Sequence, residues 1–435
     1  MPASPSLLIV PARFKTGKLY TQIATTSAGV VLASSGDFNV TRATTATRFN
    51  SAGLIESVAS GVPRLDYYTS GGTAGCPALL VEPSAQNFVL NSDNSSTSWT
   101  LGAGTASGYV DVIGVSGNTI TATASGGIGS NVFLRRTLNT ALASGSTYTV
   151  SFLMRQTGAH TIGGYWIGIA GVGDIGGGFD VSGSFSSGAI YSAAGATNRI
   201  RRVERWGADV YRCSETFTLT ASGTLDRILM GPLGAVNNPA ITSSGNTMSF
   251  AAPQIELGSV PTTFIPTTTA PVTRNADVVT LSGAVSGCIG QTEGTLYAEI
   301  VAQPYNGALF PAILQVDDGA DSQRFAIFIH ASGGIRVRLN ASGINLGIDS
   351  TNPATLVVGQ TYKIAAAFGF NGSQALYING VFQVSGSVTA GPFTAALNRV
   401  MLGHRGGISS PFLIRSAALY TTRLTNAELQ SLTTL

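Results

Sequence analysis

Three aspartates lie close together in the segment QVDDGADSQ, residues 315–323. Carboxylates and carbonyls gathered in one loop are the ligands that Ca²⁺ prefers in proteins. Asp317, Asp318 and Asp321 therefore form a candidate calcium site. The alternative is a hairpin loop in which aspartate side chains hydrogen-bond their own turns, and this second interpretation is the favoured one.

Aromatic and polar side chains that could hold a sugar occur at three places. Tyr165 and Trp166 are adjacent in GGYWIGIAG, so in a strand one side chain faces the core and the other faces outward. Trp206 follows an arginine-rich stretch, and His404 and Arg405 lie in GHRGG. These residues form the candidate ligand-binding set. Core positions for the tryptophans and a simple turn at GHRGG are the alternatives.

The sequence predicts no catalytic residues. His160, His330 and His404 are isolated and lack the spacing of a histidine metal site. No GxSxG elbow stands between a strand and a helix. Glycoside hydrolysis needs two carboxylates that face one cleft, and the 21 acidic residues form no alternating carboxylate strand. We therefore expect a protein that is not an enzyme, with a glycan depolymerase as an alternative.

The composition limits the classes of partner. Only 10% of the 435 residues are charged, 54 are glycine, and the formal net charge is +3. An ordinary globular protein has about 25% charged residues, so either hydroxyl groups keep this surface soluble or other subunits cover it. No basic stripe with interleaved aromatic residues supports a nucleic-acid partner. No run approaches the ~20 apolar residues of a membrane span, and no signal peptide is recognisable.

Local patterns predict strands along most of the chain. Period-two alternation or short apolar runs recur in STYTVSFLM, GIRVRLN and TYKIAAAFGF. They indicate an all-β protein made of antiparallel sandwiches. Asn379-Gly380 between two apolar runs predicts a hairpin with a type I′ turn. A short helix is predicted at the C-terminal end, where Thr425 and Glu428 form a capping box.

Shifts in composition divide the chain into four predicted segments. Residues 1–86 hold few strong strands, residues 87–265 and 276–435 are rich in strands, and residues 266–275 form a Pro/Thr tract. Proline fixes φ and cannot donate to a sheet. The tract is therefore predicted to end one sandwich and to space the next one off as a stiff, extended connector.

Several segments resemble bacteriophage virion proteins of the tail-fibre and appendage type. FNVTRATTATRFNSAGLIESVASGVPRLDYY, residues 38–68, resembles their recurrent N-terminal segment. CPALLVEPSAQNFVLNSDNSSTSW, residues 76–99, is similar to the landmark that follows, a strand followed by a tryptophan. PQIELGSVPTTFIPT, residues 253–267, resembles the closing strand of their carbohydrate-binding-module-like sandwich. LYINGVFQV and ALYTTRLTNAELQSL resemble the end of a concanavalin-A-like or laminin-G-like jelly roll.

The resemblance implies a virion structural protein of a fibre, spike or baseplate appendage, synthesised in the host cytoplasm. Residues 1–86 would attach the chain to other virion proteins, and the protein would be a homotrimer. The two lectin-like sandwiches would bind host-surface glycan during adsorption, as a receptor-binding module does. A capsid decoration or head-fibre protein with a purely structural role stays open as an alternative. No cofactor is implied apart from the candidate Ca²⁺.

Overall fold

The computed structural model describes residues 4–20, 22–23, 37–68, 75–93, 98–102, 105–122, 126–127, 133–182, 187–193, 195–236, 240–241, 245–283, 285–305, 310–351, 353–370 and 372–435. Antiparallel strands dominate these ranges, and an α-helix spans Asn426–Thr433. The predicted all-β fold with tandem antiparallel sandwiches is confirmed. No helix of the described ranges is long and apolar enough to cross a membrane.

The strands of the first sandwich lie within residues 100–257, and in the described ranges each of its two sheets has six strands. Side chains from both sheets, including Phe152 and Tyr165, fill one core, as expected for packed sheets with alternating apolar positions. One sheet contains, in spatial order, Thr100–Leu101, Leu134–Leu142, Gly223–Pro232, Ile162–Ala170, Gly173–Asp180 and Ser187–Ala193. The other contains Thr105–Val112, Val115–Ala122, Thr247–Leu257, Thr147–Gln156, Val210–Leu219 and Ala196–Arg205.

The C-terminal sandwich also has two antiparallel sheets, and side chains from both, such as Leu296 and Val316, meet in a common core. One sheet contains Val381–Ser387, Ser373–Ile378, Thr361–Gly369, Glu293–Val301, Phe412–Tyr420, Leu7–Ile9 and Gln22–Ile23, with Ala78–Val81 and Arg64–Asp66 paired beside Phe412–Tyr420. The other contains Phe14–Lys15, Lys18–Leu19, Phe38–Thr41, Val278–Ser282, Arg399–Leu402, Ala312–Asp317, Arg324–Ile329, Ile335–Ala341 and Ile344–Asp349.

Shorter elements connect these sheets. Ser286–Cys288 is a 3-10 turn. The remaining strand pairs are Ala46–Phe49 with Ile55–Val58, Ala85–Asn87 with Val272–Arg274, Gly126–Gly127 with Ala240–Ile241, and His404–Arg405 with Ile408–Ser409.

The N-terminal segment is part of the C-terminal sandwich. Leu7–Ile9 pairs with Phe412–Tyr420, and the hydroxyl of Ser6 reaches the carbonyl of Leu419, 413 positions away. Phe38–Thr41 pairs with Val278–Ser282. The first sandwich is therefore inserted between strands that belong to the C-terminal sandwich. The predicted boundaries at residues 86, 265 and 275 follow composition, which carries no signal for such distant pairing.

The Pro/Thr tract differs from the extended spacer that its composition predicts. Thr267 is buried and exchanges hydrogen bonds with Ser92. A few residues later Val272–Arg274 pairs with Ala85–Asn87. The hydroxyl and backbone groups around the prolines thus find partners in the fold. The tract turns back onto the molecule and forms part of the junction between the two sandwiches.

Two local predictions agree with the structure. The strands Ser373–Ile378 and Val381–Ser387 form a hairpin, and Asn379 and Gly380 both have positive φ, 49° and 76°, as a type I′ turn requires. Thr425 accepts a hydrogen bond from the Glu428 backbone, while the Glu428 side chain accepts one from the Thr425 backbone. The capping box therefore begins the C-terminal helix as predicted.

Candidate functional site

The aspartate loop is held by its own turns and by arginines. Asp317 is fully buried, and its two carboxylate oxygens accept hydrogen bonds from Arg399 at 2.7 and 3.0 Å. Asp318 accepts hydrogen bonds from backbone groups of its own loop, and Asp321 pairs with Arg324 at 2.8 Å. The structure does not assemble these aspartates as cation ligands. In the described part of the chain, no group of three or more His, Cys, Asp or Glu side chains could hold a metal ion.

Tyr165 and Trp166 face opposite sides of their strand, as the period of two predicts. Tyr165 is fully buried in the core of the first sandwich, where its ring centroid lies 6.1 Å from that of Phe152. It is therefore inaccessible to a sugar, which corrects the sequence-based assignment. Trp166 is half-buried and packs against Leu229 and Leu233.

His404 and Arg405 are likewise held by contacts within the fold. His404 is buried, and its Nε2 lies 3.3 Å from the backbone nitrogen of Val279. Burial lowers the pKa of His404. The Arg405 guanidinium lies over the ring of Phe328 and 3.6 Å from the carboxylate of Asp321. These contacts hold the short strand His404–Arg405 in place, and the two side chains do not form an open ligand site.

Trp206 lies in a cleft, here called the junction cleft, where the N-terminal segment and both sandwiches meet. Its ring centroid is 5.0 Å from that of Phe49 and 6.0 Å from that of Tyr68, and the Arg212 guanidinium lies 4.8 Å from it. The cleft has a cavity volume of about 40 Å³. Its walls are Phe49, Asp66, Tyr68, Leu80, Glu82, Glu204, Trp206, Arg212, Pro261, Thr263, Gln303, Pro304, Pro411 and Leu413. Phe49 and Trp206 are buried, at 5% and 8% exposure, so their rings offer little surface to a sugar.

Asp66 and Glu82, two of the three carboxylates that line the junction cleft, are committed to structural contacts. The third, Glu204, accepts a hydrogen bond from Trp206 Nε1 at 3.3 Å. Asp66 accepts hydrogen bonds from the backbone nitrogens of Phe49 and Tyr68, and burial raises its pKa to about 6. Burial would also raise the pKa of Glu82, but the charges of Arg274 and Arg64 outweigh it and lower the value to about 2. Below about pH 6, a neutral Asp66 and a charged Glu82 therefore line the same cleft.

Behind the cleft lies a cluster of buried charges, here called the arginine hub, formed by Arg42, Arg64, Arg274, Glu82 and Asp277. Arg42 contacts Asp277 at 2.8 Å, and Arg64 and Arg274 contact Glu82 at 2.7 and 3.0 Å. Arg64 also pairs with Asp277. The side chains are at most 3% exposed. The hub joins the N-terminal segment to the residues that precede the C-terminal sandwich.

A second depression, here called the Gly369 groove, lies at one end of the C-terminal sandwich. It has a cavity volume of about 530 Å³ and is lined by Thr292, Glu293, Gly369, Phe370, Gly372, Pro392 and Arg423. Glu293 lies opposite Gly369 in the sheet. Arg423 approaches from the chain just before the C-terminal helix. An aromatic ring, a carboxylate and a guanidinium therefore share one open groove.

The Gly369 groove was not predicted from the sequence. The Phe-Gly-Phe pattern at residues 368–370 could have indicated an open place between two rings. No local pattern connects it to Glu293 or Arg423, because these residues come from separate elements of the sheet and the C-terminal turn.

Comparison with known proteins supports a lectin-like C-terminal sandwich. Residues 275–430 match the Laminin_G_3 family, described as the Concanavalin A-like lectin/glucanases superfamily, and the match covers less than half of the chain. No protein with a curated description matches the sequence.

Among solved structures, the chain is similar to the CBM40 of a Ruminococcus gnavus IT-sialidase bound to α2,3-sialyllactose, at 22% identity and a TM-score of 0.29 over 34% of this chain and 84% of that one. The NanB sialidase from Streptococcus pneumoniae is 20% identical with a TM-score of 0.29, over 35% of this chain and 26% of that chain. The receptor-binding domain of botulinum neurotoxin mosaic serotype C/D is 14% identical with a TM-score of 0.30, over 36% and 40% of the two chains.

Proposed function

We propose that this chain is a structural protein of a bacteriophage virion, part of a fibre, spike or baseplate appendage, that binds host-surface glycan through its C-terminal sandwich. The match of residues 275–430 to a lectin and glucanase superfamily is the observation that carries the glycan part. The Gly369 groove supports it, because it is open and has polar groups of both signs beside an aromatic ring.

The phage part rests on the sequence landmarks of residues 38–68 and 76–99. Three residues of those landmarks, Arg42, Arg64 and Glu82, are members of the arginine hub. These landmark residues thus make ion pairs within the chain. Contact with other virion proteins, and assembly into a homotrimer, would use other surfaces of the N-terminal segment and the sandwiches. The low content of charged residues, 10%, supports a surface that is partly covered by other subunits.

The proposed role is binding without catalysis. Glu293 is the acidic residue among those that line the Gly369 groove, whereas hydrolysis of a glycoside needs two facing carboxylates. In the junction cleft, Asp66 and Glu82 are held by backbone and arginine contacts, and Glu204 accepts a hydrogen bond from Trp206. This arrangement favours a binding module over a depolymerase.

The test combines location and binding with the full-length chain. Immunogold labelling of the particles that encode the protein should mark the tail or baseplate, and the purified chain should bind host surface polysaccharide saturably without releasing reducing ends. Dense labelling of the head with no polysaccharide binding would replace the proposal with a decoration protein. Release of reducing ends would replace it with a depolymerase.

A further inference from the structure

The Gly369 groove exists because residue 369 has no side chain. A Cβ atom at this position would lie 3.6 Å from Cδ of Arg423 and 3.8 Å from Cβ of Glu293. These are ordinary van der Waals distances, so a larger residue would fill the space between the two side chains. Gly369 also ends the strand Thr361–Gly369. The glycine therefore keeps the floor of the groove open.

Arg423 is fixed in direction by four hydrogen bonds, none of them to a charged group. It donates to the carbonyls of Ser373 and Leu424 at 3.0 and 3.1 Å and to the side chains of Ser373 and Asn426 at 3.2 and 3.4 Å. One of the five N–H groups of the guanidinium, on Nη1, is left for a ligand. The ion pairs among the described residues of the C-terminal sandwich involve other side chains. Neither Arg423 nor Glu293 thus has a charged partner in that part of the chain. A positioned donor and a carboxylate acceptor face the same space.

This pair of groups suits the hydroxyls of a sugar ring. Each hydroxyl can donate one hydrogen bond and accept others, so neighbouring hydroxyls can donate to Glu293 and accept from Arg423. Hydrogen bonds to charged groups are stronger than those between neutral groups. Thr292 adds a further hydroxyl at the rim.

An apolar wall completes the groove. Phe370 is half-buried and is held edge-on by Phe393, with ring centroids 5.0 Å apart, and by Phe368 at 5.5 Å. Pro392 lies beside it. A rigid apolar surface with a few convergent polar groups is the usual form of a small-ligand site, and such sites have volumes of roughly 300–1,000 Å³.

The charges indicate which sugars fit. Arg423 and Glu293 are the ionisable residues among those lining the groove, and their formal charges cancel. An acidic sugar would gain from Arg423 but would bring its own carboxylate near Glu293, where like charges repel. An uncharged sugar meets a donor and an acceptor without this penalty.

We propose that the Gly369 groove binds an uncharged hexopyranose unit of a surface glycan, with Glu293 accepting from its hydroxyls and Arg423 donating to them. This inference rests on the proposed function and names its site and its ligand class. Arg423 and Glu293 are the specificity-determining residues, and Gly369 provides the space.

The experiment uses the full-length chain and host surface polysaccharide, with methyl glucoside, methyl galactoside, methyl mannoside and methyl glucuronide as competitors. At least one uncharged glycoside should displace the polysaccharide, and the glucuronide should be at least tenfold weaker. Gly369→Leu should weaken polysaccharide binding at least tenfold, and Glu293→Gln should weaken it several-fold. Arg338→Gln is the matched control, because Arg338 bonds Asn345 outside the groove and its loss should leave binding unchanged.

The outcomes separate this inference from the proposed function. Undiminished polysaccharide binding by folded Gly369→Leu and Glu293→Gln would overturn the groove and leave glycan binding intact. Displacement by methyl glucuronide alone would overturn the uncharged ligand class. A wild-type chain that binds no polysaccharide would overturn the proposed function itself. Circular dichroism of Gly369→Leu establishes that it is folded, and Glu293→Gln gives an independent answer if it is not.

Discussion

The two sandwiches reach a similar architecture by different routes along the chain. The strands of the first sandwich all come from residues 100–257. The C-terminal sandwich takes strands from both sides of that stretch, including Leu7–Ile9 and Phe38–Thr41. A block of sequence with the length and composition of a sandwich is therefore not always a folding unit. The two sandwiches differ in the sequence distance between paired strands: it is confined to one stretch in the first sandwich and spans almost the whole chain in the C-terminal one.

The largest effect should come from isolating each block. A fragment of residues 87–268 should show cooperative unfolding, whereas residues 276–435 alone should aggregate or unfold without a sharp transition. Without Leu7–Ile9 and Phe38–Thr41, the fragment exposes unpaired strand edges and part of its core. Circular dichroism during urea titration measures the unfolding of both fragments. Coexpression of residues 1–86 should improve the solubility of the 276–435 fragment. A soluble, cooperatively folded 276–435 fragment would show that the added strands are dispensable.

Breaking the arginine hub should have the next largest effect. Arg64→Met leaves Glu82 and Asp277 buried without this partner, and loss of one member of a buried ion pair typically costs about 3–5 kcal/mol. Arg48→Met is the matched control, because Arg48 pairs with Glu56 at the surface, where Glu56 is 36% exposed, and such pairs contribute about 0–1 kcal/mol. The free energies of unfolding come from urea titrations followed by tryptophan fluorescence. Equal losses for the two variants would contradict a stabilising hub.

A smaller effect should come from the contact between the N-terminal segment and the C-terminal sandwich. Gly403 and Gly406 both have positive φ, 72° and 49°, but only a Cβ at Gly403 would come within 2.7 Å of Val81. Gly403→Ala should therefore lose about 1–3 kcal/mol more than Gly406→Ala, the usual range for overpacking. Both variants share the strain of a positive φ, so the difference between their thermal unfolding midpoints reports the contact with Val81. Equal midpoints would mean that Val81 moves aside freely.

The smallest effect concerns pH at the junction cleft. Burial raises the pKa of Asp66 to about 6 from its ordinary value of 3.8. Because the folded state binds this proton more tightly than the unfolded state, Asp66 contributes stability below its unfolded-state pKa. This contribution is lost as the pH rises through 6. Lowering the pH from 7 to 5 should therefore stabilise the wild type by about 1 kcal/mol more than Asp66→Asn. Parallel pH profiles for the two proteins would show that Asp66 does not take up a proton in this window.

Features encoded by neighbouring residues were predicted well. The Asn379-Gly380 turn and the capping box at Thr425 depend on residues within a few positions, and so does the alternation that indicates strands. The period of two also places Tyr165 and Trp166 on opposite faces, but it does not decide which face is the core. The structure assigns the core to Tyr165.

Features that combine distant residues could not be read from the sequence. Arg42 and Asp277 are 235 positions apart, and the Gly369 groove combines a strand end, a loop and the turn before the helix. The composition of the Pro/Thr tract predicts a spacer, because proline disfavours sheet pairing. Its threonines and Arg274 nevertheless find partners in the junction. The type of a residue limits the contacts it can make, and the partners that decide which contact forms lie far away in the sequence.

The pairing of Leu7–Ile9 with Phe412–Tyr420 sets an order of events during synthesis. At ribosomal rates of 5–20 residues per second, the first strand waits roughly 20–80 s before its partner leaves the ribosome. The first sandwich emerges complete during that interval and can fold while the early strands are still unpaired. The nascent chain therefore carries exposed strand edges until Phe412–Tyr420 has emerged. A cell short of chaperones should yield less of this protein than of the first sandwich alone.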